Sequence, residues 1–108
     1  MTEDDVLAFI TNAIGSVWAL ELLLLLKRDA GRGWGAESLI RELRSSPIAI
    51  DDALDRLRTS GLVMQDGAGK YRYQPASPQL DGMASELEEI YAAKPMAVIK
   101  AIVAARTQ

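Results

Sequence analysis

The chain has 108 residues, 49% of them hydrophobic and 25% charged, a net charge of −3, and neither cysteine nor histidine. That length suits one domain with enough apolar surface to fold. The missing residue types exclude disulfides, thiolate nucleophiles, the usual zinc ligands and the commonest general base. The acidic balance also argues against a dedicated nucleic-acid binder, whose affinity rests on neutralising phosphates. Residues 31–75, the least acidic part, still carry only seven basic against six acidic groups.

The opening MTEDD is acidic and predicts no signal peptide. Residues 3–14 read as a helix, with Thr2 as N-cap and Glu3, Asp4 and Asp5 where the helix dipole favours anions. Val6, Ile10, Ala13 and Ile14 share a face, widened by Leu7 and Phe9. Gly15-Ser16 interrupts, and Ser16 is placed to cap a helix over residues 17–29, which either stands alone or continues the first after a kink. Leu22 to Leu26 cover every side of that helix, so it has more than one apolar neighbour to satisfy. The apolar run Val17 to Leu26 falls short of the roughly 20 residues that span a bilayer, so no membrane role is expected. Gly31 is the expected C-terminal cap.

Residues 36–44 read as a short helix with Leu39, Ile40 and Leu43 inward. Ser46 then caps, and Pro47 takes the first helical position, where its missing N–H is not needed. That helix runs to about Ser60 and ends at Gly61. LVMQDGAGKYRYQP predicts a β-hairpin, with strands at 62–64 and 71–73 around the turn Asp66-Gly67-Ala68-Gly69. From about Pro78, Leu80, Met83, Leu87 and Ile90 or Tyr91 recur at helical spacing. Lys94-Pro95 breaks or kinks the helix, and Val98, Ile99, Ile102 and Val103 continue it.

ESLIRELRSSPIAIDDALDRLRTSGLVMQDGAGKYRY, residues 37–73, thus runs helix, turn, helix, hairpin. It resembles the winged helix-turn-helix superfamily along its whole length, most clearly in LDRLRTSGLV followed by a glycine turn and a tyrosine-rich return strand. With helices on both flanks, the chain resembles small MarR- or PadR-type bacterial transcriptional regulators. The resemblance implies a mainly α fold with a small β-hairpin, in a single domain spanning residues 1–108. Residues 1–15 would be an N-terminal helix, 16–75 the winged module, and 76–108 a C-terminal helical segment kinked near Pro95. It further implies cytoplasmic transcription regulation, a homodimer paired through the terminal helices, and a brief strand at Trp34 that packs beside Tyr71 or Tyr73.

On the helix after Pro47, Ile50, Ala53, Leu54 and Leu57 form the inward stripe. The opposite face holds Ile48, Asp52, Asp55 and Thr59, flanked by Ala49, Asp51 and Arg56. The resemblance sends that outer face into a major groove, where donor side chains meet bases and phosphates. Carboxylates only accept, and they repel phosphate. The leading expectation is therefore a regulator-type protein whose acidic reading helix suits DNA poorly and which acts largely through protein contacts. Ile48, Asp51, Asp52 and Asp55 are the candidate partner-binding face. A merely solvated face, with Asp52 paired to Arg56 and Asp55 to Arg58 or Thr59, is the plainer account.

The alternative is a dimeric, sequence-specific DNA-binding regulator, with Arg41 and Arg44 before the turn and Lys70 and Arg72 on the wing as phosphate contacts, and Arg56 near the groove. Val6, Ile10, Leu80, Leu87, Ile99 and Val103 are the candidate dimer interface, unless they pack on each other within one chain. Nothing points to catalysis: DGAGK lies in a hairpin turn and lacks the strand–loop–helix context of a phosphate loop, and Glu86, Glu88 and Glu89 read as a solvated run. No cofactor or metal is expected.

Overall fold

In a computed structural model that describes residues 3–106, helix α1 (Glu3–Phe9) passes directly into a π-helical turn, Ile10–Ile14. The cap expected at Thr2 lies outside the described residues. Gly15 ends the turn at φ +72°, donating its N–H to the Ile10 carbonyl at 2.8 Å. The chain then bends by 98° into α2 (Val17–Arg28), a separate helix capped by the Ser16 hydroxyl, which accepts from the Ala19 N–H at 3.0 Å.

Leu20, Leu22, Leu23 and Leu26 of α2 are fully buried, and Leu24 nearly so. Each such side chain contributes about 1.5–3 kcal/mol by leaving water. The helix stops at Arg28 with Asp29 as its cap, and the Arg32 N–H closes the following turn on the Asp29 carbonyl at 2.9 Å. Gly31 is not the left-handed cap expected of it, because its φ stays negative and the Asp29 turn does the capping.

Helix α3 (Ala36–Leu43) ends on Arg44, which holds a left-handed φ of +53°. Helix α4 (Pro47–Thr59) starts as the sequence predicts, with the Ser46 hydroxyl accepting from the Ala49 N–H at 3.2 Å. Ile50, Ala53, Leu54 and Leu57 are its buried stripe. Gly61, at φ +79°, then turns the chain into β1 (Val63–Gln65), which pairs antiparallel with β2 (Tyr71–Tyr73) in the register Val63↔Tyr73, Met64↔Arg72, Gln65↔Tyr71. On the other side of β2, Trp34 exchanges two backbone hydrogen bonds with Tyr71, both 2.7 Å.

Helix α5 (Pro78–Ala93) is capped by Ser77, and Lys94 separates it from α6 (Pro95–Arg106). The described chain is mainly helical with a small two-stranded antiparallel sheet, and none of its helices is long and apolar enough to cross a membrane.

The terminal helices close the chain's own core. Val6, Ile10 and Leu87, three of the residues expected at a dimer interface, are buried within this chain, where they pack in its own core. Leu80 and Ile99 are half-buried, and only Val103, 51% exposed, faces outward among the six. The physical reason is that the leucines of α2 point in several directions: π-turn and α5 residues pack into the same core cluster with them.

Polar bonds fasten α5 to that core. The Tyr73 hydroxyl donates to Asp81 Oδ1 at 2.6 Å, the Tyr91 hydroxyl donates to Glu21 Oε1 at 2.7 Å, and Lys27 Nζ lies 3.0 Å from Glu88 Oε1. Burial, and then the bond to Asp81, pushes the Tyr73 phenol well above its ordinary value near 10; the bond to Glu21 raises Tyr91 in the same direction. A phenol whose folded value is raised supplies stability that is complete below about pH 10 and is lost as pH climbs toward the folded value. Chemical denaturation at a series of pH values should therefore show stability falling above about pH 10. Tyr73→Phe should lose about 1 kcal/mol at pH 7 by giving up the Asp81 bond, and its alkaline decline should be shallower than that of the parent.

Candidate functional site

The outer face of α4 is the most exposed functional candidate. Ile48 is 75% exposed, and Asp51, Asp52 and Asp55 are all exposed behind it. The pairs expected within the helix are not formed: among the described residues the ion pairs are Lys27–Glu88, Arg32–Asp29 and Arg72–Asp66, and none involves these three carboxylates.

Arg56 explains part of this. Its Nη2 donates to the Thr11 carbonyl at 3.0 Å, and its guanidinium covers Gly15. The Ser60 hydroxyl beside it donates to the Ala13 carbonyl at 3.1 Å. A helix end presents carbonyls that its own turns leave unpaired and that carry partial negative charge, and both side chains go there. Arg56 is therefore turned toward the π-turn and forms no ion pair with Asp52. Sequence spacing within α4 could not find this, because the acceptors lie 45 and 47 residues away.

The β1–β2 hairpin holds a second candidate cation. Asp66 Oδ1 accepts from the Ala68 and Lys70 N–H groups at 2.9 and 3.0 Å, and Oδ2 accepts from Arg72 Nη2 at 2.9 Å. The Lys70 N–H, then the Arg72 bond, lower the Asp66 carboxyl below its ordinary value. Arg72 thus stiffens the hairpin from inside. Arg41, Arg44 and Lys70 are exposed and form no ion pair among the described residues.

Trp34 is buried beside Tyr71, as the resemblance implies, and the Arg32 guanidinium lies over its ring, 3.7 Å from the centroid. Arg32 was not singled out from sequence, although its place two residues before a tryptophan allows such stacking. Two further concavities flank the helices. A groove of about 490 Å³ runs between α1, α5 and α6, walled by Val6, Leu7, Ile10 and Val98 with Glu86 and Lys94 at its rim. A cleft of about 530 Å³ separates the C-terminal half of α4 from the hairpin. Among the described residues no group of three or more His, Cys, Asp or Glu side chains is placed to hold a metal ion.

No protein-family model, no curated protein and no solved structure matches the chain.

Gly15 offers a direct check on the α4 contacts. A Cβ there would coincide with the Arg56 guanidinium, and the left-handed φ disfavours any L side chain. The arginine can swing aside easily, so the expected loss is the backbone strain plus the Thr11 bond. Gly15→Ala should destabilise the fold by about 2 kcal/mol, read by thermal or urea unfolding. In an Arg56→Ala background the same change should be milder, because only the strain remains.

Proposed function

We propose that the chain is a regulator-type winged-helix module that works mainly through protein contacts, using the outer face of α4 to hold a basic partner. The observation that carries this reading is the state of that face: Asp51, Asp52 and Asp55 are exposed without an ion pair among the described residues, next to a bare Ile48. The order α2, α3, α4, hairpin, with the Trp34–Tyr71 bridge beside it, supports the winged-helix interpretation. A duplex brought to α4 would meet carboxylates where donors are needed. Of the five cations considered for phosphate, Arg72 is neutralised by Asp66, and Arg56 gives a hydrogen bond to the Thr11 carbonyl.

A second reading, an operator-binding dimer, draws support from Arg41, Arg44 and Lys70, which stand exposed and unpaired among the described residues. Two titrations separate them. On random-sequence duplex DNA between about 50 and 200 mM salt, the protein-contact reading expects no appreciable binding; strong binding that weakens steeply with salt would overturn it, since that slope counts engaged phosphates. On a labelled octalysine peptide at low salt, the intact chain should bind, and a variant with Asp51→Asn, Asp52→Asn and Asp55→Asn should bind about tenfold more weakly or worse.

A further inference from the structure

Helix α6 is apolar on every side. Between Pro95 and Ala105 its only charged residue is Lys100. A helix of that composition is normally covered all round. Here the core takes Val98 and Ile102, with Ile99 and Ala101 half-buried. At 100° per residue, Met96, Lys100 and Val103 share the side opposite Val98 and Ile102. Met96 is 62% and Val103 51% exposed on that side.

The groove between α1, α5 and α6 adjoins it. Ala97, on the flank between the two sides of α6, lines the groove together with Leu7, itself 43% exposed, over a floor of Val6, Ile10 and Val98. The rim carries both signs, with Glu86 and Glu89 on α5 and Lys94 just before α6. None of these three groups, nor Lys100, forms an ion pair among the described residues. A partner of one sign would be repelled by part of such a rim. A two-fold pairing suits it, because the same patch meets itself and each carboxylate can face a lysine of the other copy.

We infer that a second copy of this chain covers α6, in a two-fold dimer in which the Met96–Lys100–Val103 side of each α6 lies in the groove of the other. Met96 and Val103 bury against Leu7 and the groove floor, and the partner's Lys94 and Lys100 lie against Glu86 and Glu89. A chain of 108 residues has a modest core of its own, so the added cover supplies stability that one copy lacks. Val103 was expected at such an interface from sequence; Leu7, Met96 and Lys100 were not. The inference uses no residue of α4 and stands apart from the acidic-face reading.

Sedimentation equilibrium of the intact chain from about 1 µM to 1 mM should show monomer and dimer in exchange. Met96→Glu with Val103→Glu should weaken the dimer at least about tenfold while the circular dichroism spectrum is kept, since both side chains are exposed. Two charge reversals leave the apolar contacts alone. Glu86→Lys with Glu89→Lys, and Lys94→Glu with Lys100→Glu, should each weaken the dimer about tenfold, and mixing the two variants should restore it as a heterodimer. A chain that stays monomeric at about 1 mM overturns the inference. So does a dimer or larger assembly that Met96→Glu with Val103→Glu leaves intact, because another surface then holds it. If the two charge-reversed variants stay apart on mixing, carboxylates do not meet lysines and the two-fold arrangement fails.

Discussion

A helix with leucine at five successive positions presents apolar surface on every side, and α2 is such a helix, left open mainly along Trp18, Glu21, Leu25 and Arg28. Its leucines are buried from Leu20 to Leu26, with only Leu25 partly open. Helices α3 and α4 and strand β2 cover part of it, and the π-turn packs on it as well. Its few polar side chains work at the margin of this burial, where Glu21 and Lys27 reach across to Tyr91 and Glu88 on α5. Helix α5 is thus bonded to α2 by polar contacts at two places as well as packed on the shared core.

The same constraint explains what could be read in advance and what could not. Ser16, Ser46, Pro47 and Gly61 act through their nearest neighbours in sequence, and each is found in its expected place. The buried stripe of α4 follows from helical periodicity alone. Gly31 misleads because a glycine after a helix permits a left-handed cap without requiring one, and Asp29 closes the turn first. The stripes at Val6, Ile10 and Leu87 were legible as apolar but not in their destination: periodicity shows that a face seeks apolar contact, but not whether the contact comes from the same chain, and here the chain's own core supplies it. The destination of Arg56 was hidden because its acceptor is a backbone carbonyl, a group every residue carries.

Charge on the outer surface follows from these internal choices as much as from composition. The segment containing α4 and the hairpin holds almost equal numbers of basic and acidic groups. Arg56 is drawn to the end of the π-turn and Arg72 to the hairpin aspartate, and the carboxylates of α4 keep no partner among the described residues. The outer face of α4 is thus acidic on a nearly neutral segment, because Arg56 and Arg72 bond elsewhere in the chain. The hairpin gains in return: Asp66 closes the turn through two backbone donors and Arg72, which holds the strand pair in a fixed shape beside α4.

The π-helical turn at Ile10–Ile14 has a consequence for angular phase. A wide turn inserts one residue without a matching advance along the axis, so it changes the direction in which everything before it faces. Forcing the same residues into ordinary α-helical bonding would overwind the turn and rotate Val6 and Phe9 relative to Ile14, carrying both off the core they now line. The irregular turn therefore works as an angular spacer that brings the apolar side of the first helix into step with the packing surface beyond Gly15.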